Sequence, residues 1–91
     1  MDKYSDAILK IVNEQKLIIG PIAFDLAKRV QGVTVISEKE ITIIGDPKST
    51  LESVVVEYEK LFGRSSVEVS KEVIKKGNGV LQPEELPAIL R

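Results

Sequence analysis

The stretch ITIIGDPKSTLES, residues 41 to 53, joins an apolar segment to a long helical pattern and marks the boundary between the predicted sheet and the predicted helix that follows it. Its first four residues are strand formers, and Gly45 marks the end of the extended segment. Asp46 and Pro47 are residue types preferred at a helix N-cap and at the first helical position. The order therefore predicts a strand, a turn, and a helix whose first turn is capped by the Asp46 carboxylate.

The same stretch has the order strand, glycine, Lys48, Ser49 and helix that is found in phosphate-binding loops. Such a loop needs two glycines separated by four residues, because their backbone N–H groups must surround the phosphate. Thr42 and Pro47 stand at those two positions, and proline has no N–H to donate. The Asp46 carboxylate would also place a negative charge where the phosphate should lie. We therefore expect no nucleotide binding.

Upstream of Gly45, residues 33 to 44, VTVISEKEITII, contain two runs of strand formers separated by the polar segment 37 to 40. This pattern predicts a β-hairpin. Downstream, apolar residues at i, i+3, i+4, i+7, i+10 and i+11 predict one face of a helix that Gly63 ends. These residues are Leu51, Val54, Val55, Tyr58, Leu61 and Phe62.

Two helices are predicted upstream of the hairpin. The first covers residues 4 to 15 and begins at a cap formed by Asp2 or Ser5. The apolar residues 17 to 19 are interpreted as a short extended stretch. Gly20-Pro21 predicts the start of the second helix, and Gly32 its end. The predicted buried face of that helix contains Ile22, Ala23, Leu26, Ala27 and Val30.

Residues 65 to 76, SSVEVSKEVIKK, are compatible with either a helix or a strand. Ser65 and Glu68 have the spacing of a capping box, whereas valines at even spacing suit a strand. The abundance of Lys and Glu favours the helix, and GNG at 77 to 79 predicts a break. The tail beyond it is predicted either to contain one helical turn or to lie loosely on the surface.

The chain is therefore predicted to be α+β. Residues 1–76 form a single small domain of two N-terminal helices, a β-hairpin, a long amphipathic helix and a shorter C-terminal helix. Residues 77–91 form a C-terminal turn and tail.

Composition restricts the function classes. The 91 residues are 43% hydrophobic and 30% charged, with a net charge of −1, which is typical of a soluble domain. Neither cysteine nor histidine occurs, so thiolate ligands and the commonest general base are missing. The longest apolar run, 17 to 24, is much shorter than a membrane span, and the N-terminus is not that of a secretory signal. We expect a cytoplasmic protein without catalytic residues, cofactor, metal or membrane partner. Its composition is also typical of thermophiles.

Both strands of the predicted hairpin carry apolar residues on both faces, and a two-stranded hairpin alone is marginally stable in water. Either the chain's own helices cover both faces, or a second chain covers one of them. We favour the second option and predict a non-catalytic protein-interaction or oligomerisation module, forming a homodimer or binding another protein. The candidate interface residues are Val33, Val35, Ile36, Ile41, Ile43, Val54 and Tyr58.

The alternative function is that of a nucleic-acid-binding regulator, because two helices followed by a hairpin resemble part of a winged helix. In that case Lys28 and Arg29 on the second helix, and Lys39 at the hairpin tip, would contact phosphates. Glu38 and Glu40 make the tip acidic, and the basic residues occur in pairs rather than in a stripe. We therefore expect nucleic acid not to be the partner.

Overall fold

The structure, a computed structural model, describes residues 1–77 and 81–91. The predicted α+β order of two helices, a hairpin and two further helices is confirmed, and the ambiguous segment after Gly63 is helical. The predicted break at 77 to 79 falls mainly on residues outside the described part. The elements are α1 Lys3–Ile19, α2 Ile22–Lys28, β1 Val33–Ser37, β2 Glu40–Ile43, α3 Pro47–Phe62, α4 Arg64–Lys76, and two 3-10 turns, Pro83–Glu85 and Ala88–Leu90.

Aspartate caps begin the two longest helices. The Asp2 carboxylate accepts the Ser5 N–H at 2.8 Å, and the Asp46 carboxylate accepts the Ser49 N–H at 3.2 Å. The Ser49 hydroxyl also donates to Asp46, at 2.6 Å. The predicted cap of α3 is therefore confirmed, with Pro47 in its first turn.

Two helix–glycine–helix corners, between α1 and α2 and between α3 and α4, have nearly the same backbone geometry. Gly20 has φ 84° and ψ −167°, and Gly63 has φ 77° and ψ −167°. The N–H of Gly20 donates to the Lys16 carbonyl at 2.9 Å, and that of Gly63 to the Glu59 carbonyl at 2.8 Å. These angles are essentially restricted to glycine, so each glycine ends one helix and redirects the chain into the next.

Two local predictions at these corners are wrong. Residues 17 to 19 are the last turn of α1 rather than an extended stretch, because the hydrogen bonding of α1 continues as far as Gly20. The capping box predicted from Ser65 and Glu68 does not form, because α4 already begins at Arg64, without a side-chain cap.

The hairpin is antiparallel, with Val33 opposite Ile43 and Val35 opposite Ile41, and its pairing is irregular between Val35 and Ser37. These four apolar residues form the inner face, which packs on the helical core, β2 against α1 and β1 against α2. The outer face is exposed and contains Thr34, Ile36, Thr42 and Ile44.

The C-terminal tail packs on the domain and contributes Leu81, Leu86 and Leu90 to the same core. The Tyr4 hydroxyl of α1 donates to the Glu85 carbonyl at 2.8 Å. The tail, which the sequence left either helical or loose, therefore lies in two 3-10 turns against the N-terminal end of α1 and against α3 and α4.

Candidate interaction site

The predicted interface residues are divided between the core and the surface. Four of them are buried by the protein's own helices and strands and are not accessible to a partner in this conformation: Val33, Ile41, Val54 and Tyr58. Val35 and Ile43 are half-buried and pack against the core. Ile36 is the member of the predicted set that is largely exposed, at 56%.

Two buried hydrogen bonds bring the two helix–glycine–helix corners to one end of the molecule. The Tyr58 hydroxyl on α3 donates to the Ala23 carbonyl on α2 at 2.6 Å, and burial raises the pKa of this phenol. The Gln15 amide on α1 donates to the Ser66 carbonyl on α4 at 3.1 Å. One turn before their C-terminal ends, α1 and α3 therefore lie beside the first turns of α4 and α2, respectively.

Five large apolar side chains are exposed at these corners, and we call them the apolar end. The sequence predicted Ile22, Leu61 and Phe62 on buried helix faces, and that prediction is wrong. The apolar stripe of α3 continues one turn past Tyr58, beyond the helices that cover it. The five members are Leu17 (79% exposed), Ile18 (61%), Ile22 (47%), Leu61 (55%) and Phe62 (39%).

Unpaired charges of both signs flank the apolar end. Asp25 lies one turn after Ile22 on the exposed side of α2, and Arg64 is the first residue of α4. Neither forms an ion pair or a hydrogen bond through its side chain with the described residues. The surface thus combines an apolar centre with charges that have no partner within the described part of the chain.

The basic residues of the winged-helix alternative are exposed but separated. Lys28 and Arg29 lie just before β1, whereas Lys39 lies in the turn at the opposite end of the hairpin, about 15 Å of strand away. The Asn13 amide and the Lys16 ammonium of α1 bind Glu38 in that turn, at 3.2 and 2.5 Å. The tip is therefore held against α1 and does not project as a wing.

The phosphate-loop residues are engaged in structural contacts. Asp46 caps α3, and the Lys48 ammonium donates to the Glu84 carbonyl of the tail at 3.0 Å. Within residues 1–77 and 81–91, no three acidic side chains are grouped as a metal site would require. Nor does any helix in those ranges have the length and apolar character needed to cross a membrane.

The chain folds into a small α+β domain. In sequence order, one helix–glycine–helix corner precedes the β-hairpin and the other follows it. No protein-family model, curated protein or solved structure matches this chain. The chain's own surface is therefore the basis for a functional proposal.

Proposed function

We propose that the chain is a non-catalytic module that self-associates through apolar surface left uncovered by its own fold. The observation that carries this proposal is the apolar end. Of the eight large hydrophobic side chains exposed among the described residues, five belong to this one surface. Ile36 and Ile44 on the outer hairpin face account for two more.

Apolar side chains exposed singly are normal on soluble proteins, whereas contiguous apolar patches of several hundred Å² mark binding surfaces. Transfer of such surface from water to a partner is favourable by about 25 cal/mol for each Å² buried. A domain of 91 residues has a modest core, and oligomerisation is a common way for small domains to gain stability. Self-association covers the apolar end without requiring a different protein.

The ionisable groups with shifted pKa values support a structural role for the charged residues. The Ser5 N–H lowers the pKa of Asp2, and the Ser49 hydroxyl lowers that of Asp46, in each case at a helix cap. The Gln82 N–H lowers the pKa of Glu85 in the tail. Each of these shifts arises from a hydrogen bond that holds a helix or the tail in place, which is how structural carboxylates behave.

Sedimentation equilibrium tests the proposal directly. Over about 1 µM to about 1 mM protein, we expect the mass to rise from that of the 10.1 kDa chain towards twice that value. Added salt should leave most of this association intact, because apolar burial is not screened by ions. A mass of one chain at every concentration would refute the proposal.

A further inference from the structure

We propose that the apolar end binds a second copy of this chain across a twofold axis, with Asp25 of each copy opposite Arg64 of the other. This inference rests on the proposed self-association and adds the surface, the symmetry and the ion pairs.

The shape of the apolar end suits twofold pairing. Its two corners share one backbone geometry, and each presents large apolar side chains from the last turn of a helix: Leu17 and Ile18 from α1, and Leu61 and Phe62 from α3. A twofold axis places a surface against itself, and an axis that passes between the two corners brings the α1–α2 corner of one copy against the α3–α4 corner of the other. Two similar corners on one surface suit this arrangement.

The flanking charges complement each other under the same symmetry. Asp25 lies on the α1–α2 corner and Arg64 on the α3–α4 corner, so a twofold axis that exchanges the corners forms two opposite-charge pairs. The first turn of α4 contains no acidic residue and has no side-chain cap. An incoming Asp25 carboxylate would therefore also lie near the positive end of the α4 dipole, which attracts anions. A partner with charges of one sign would leave Asp25 or Arg64 unmatched.

The chain has enough surface for a stable dimer interface. A standard interface buries about 800 Å² on each partner, and the chain exposes 5145 Å² in total. An interface of that size would use about a sixth of the surface. The apolar end supplies an apolar centre and Asp25 and Arg64 a charged rim, as in typical interfaces.

The outer face of the hairpin is a weaker site. It exposes two large apolar side chains, Ile36 and Ile44, beside two threonines. The irregular pairing between Val35 and Ser37 interrupts β1, and such bulges discourage a strand edge from pairing with another chain. With five exposed large apolar side chains against two, the apolar end also has more apolar surface to bury than the outer hairpin face.

Matched lysine substitutions locate the interface. We expect Leu61→Lys to sediment as a monomer at concentrations where the wild type is a dimer, because the lysine would be buried at the contact. Ile44→Lys, at an even more exposed apolar position outside the apolar end, should remain a dimer. Circular dichroism checks that both variants are folded. If Ile44→Lys is monomeric and Leu61→Lys dimeric, the inference is wrong although self-association stands; a monomeric wild type refutes both.

A charge exchange tests the symmetry. Asp25→Arg and Arg64→Asp should each raise the dimer dissociation constant by roughly tenfold, because each change places like charges opposite each other twice. The double variant should return to within about threefold of the wild type, because both pairs are restored in reverse. Lys28→Asp, elsewhere on α2, serves as the control and should have little effect. A double variant weaker than either single variant would overturn the proposed pairing.

Discussion

The two ends of the helical core carry similar apolar residues but differ in what covers them. Where α1 and α3 begin, the C-terminal tail folds back, and its Leu81, Leu86 and Leu90 are buried. Hydrogen bonds from Tyr4 and Lys48 to the Glu85 and Glu84 carbonyls hold the tail there. We call this the covered end. At the apolar end, five comparable side chains remain exposed.

An apolar helical stripe does not by itself define the core. A leucine becomes part of the core only where another segment is long enough to lie over it. The tail performs this role at the covered end. At the apolar end the helices turn at Gly20 and Gly63, and the last turns of α1 and α3 extend past their neighbours.

The largest expected contrast is between two leucines, one from each end. Leu90 is 5% exposed and Leu61 is 55% exposed. We expect Leu90→Ala to lower the free energy of unfolding by about 2 to 3 kcal/mol, as a buried leucine does. Leu61→Ala should change it by less than about 0.5 kcal/mol. Urea denaturation measures both, at concentrations where the protein sediments as a monomer. If both substitutions lowered the free energy of unfolding equally, the tail leucine would contribute no more to stability than the exposed leucine of the apolar end, and the contrast would be refuted.

Two tyrosines allow a finer comparison of the ends. The Tyr58 hydroxyl is buried and donates to Ala23, whereas that of Tyr4 is partly buried and donates to Glu85. We expect Tyr58→Phe to cost about 1 to 2 kcal/mol, because it leaves a buried carbonyl without this donor, and Tyr4→Phe about 0.5 kcal/mol. Thermal unfolding of the two variants would reveal the order. The reverse order would indicate that the tail is held more firmly than the α2–α3 contact.

Lowering the pH should weaken the structure of the covered end before that of the apolar end, and this effect should be smaller than those of the substitutions above. Asp2, Asp46 and Glu85 have lowered pKa values and all lie at the covered end. Their stabilisation is fully present above the unfolded-state pKa and is lost as the pH falls through the lower, folded-state pKa. Below about pH 4, we therefore expect amide protection in the tail and in the first turns of α1 and α3 to decrease first.

Hydrogen exchange at a series of pH values, corrected for intrinsic rates, measures this loss. Amides around Gln15 and Tyr58 serve as the internal control, since neither side chain is a carboxylate. Asp46→Asn should reduce the pH dependence at the start of α3. Uniform loss of protection along the chain would contradict the expected order. The hairpin tip should also respond, because the Lys16 ammonium lowers the pKa of Glu38.

The parts of the fold that depend on local chemistry could be predicted from the sequence. Asp46 and Pro47 predicted the start of α3, because a cap acts within one helical turn. Two runs of strand formers separated by a polar segment predicted the hairpin. The residues at 17 to 19 were interpreted as extended because a short apolar run has no periodicity of its own. The signal that decides their structure is Gly20, whose N–H donates to the Lys16 carbonyl and so closes the last turn of α1.

The candidate site could not be predicted, because its residues come from four helices. The bonds that bring these helices together join residues 51 and 35 positions apart in the chain, Gln15 to Ser66 and Tyr58 to Ala23. Helical periodicity placed Leu61 and Phe62 on the core-facing side of α3. It contains no information on how far the neighbouring helices extend, and that length determines the exposure of both side chains.

The geometry of Gly20 and Gly63 has a consequence for chemical synthesis of the chain. An L-residue at either position would be strained by the backbone alone, although an added Cβ would meet none of the described atoms within 4 Å. The mirror image of φ 84° and ψ −167° lies in the ordinary extended region, so a D-amino acid adopts these angles without strain. D-alanine at both corners would restrict the unfolded chain and keep the native turn, which is how such replacements stabilise a protein. Chemical ligation can therefore place at these two positions a D-residue that suits the native backbone, whereas ribosomal synthesis is restricted to glycine or a strained L-residue.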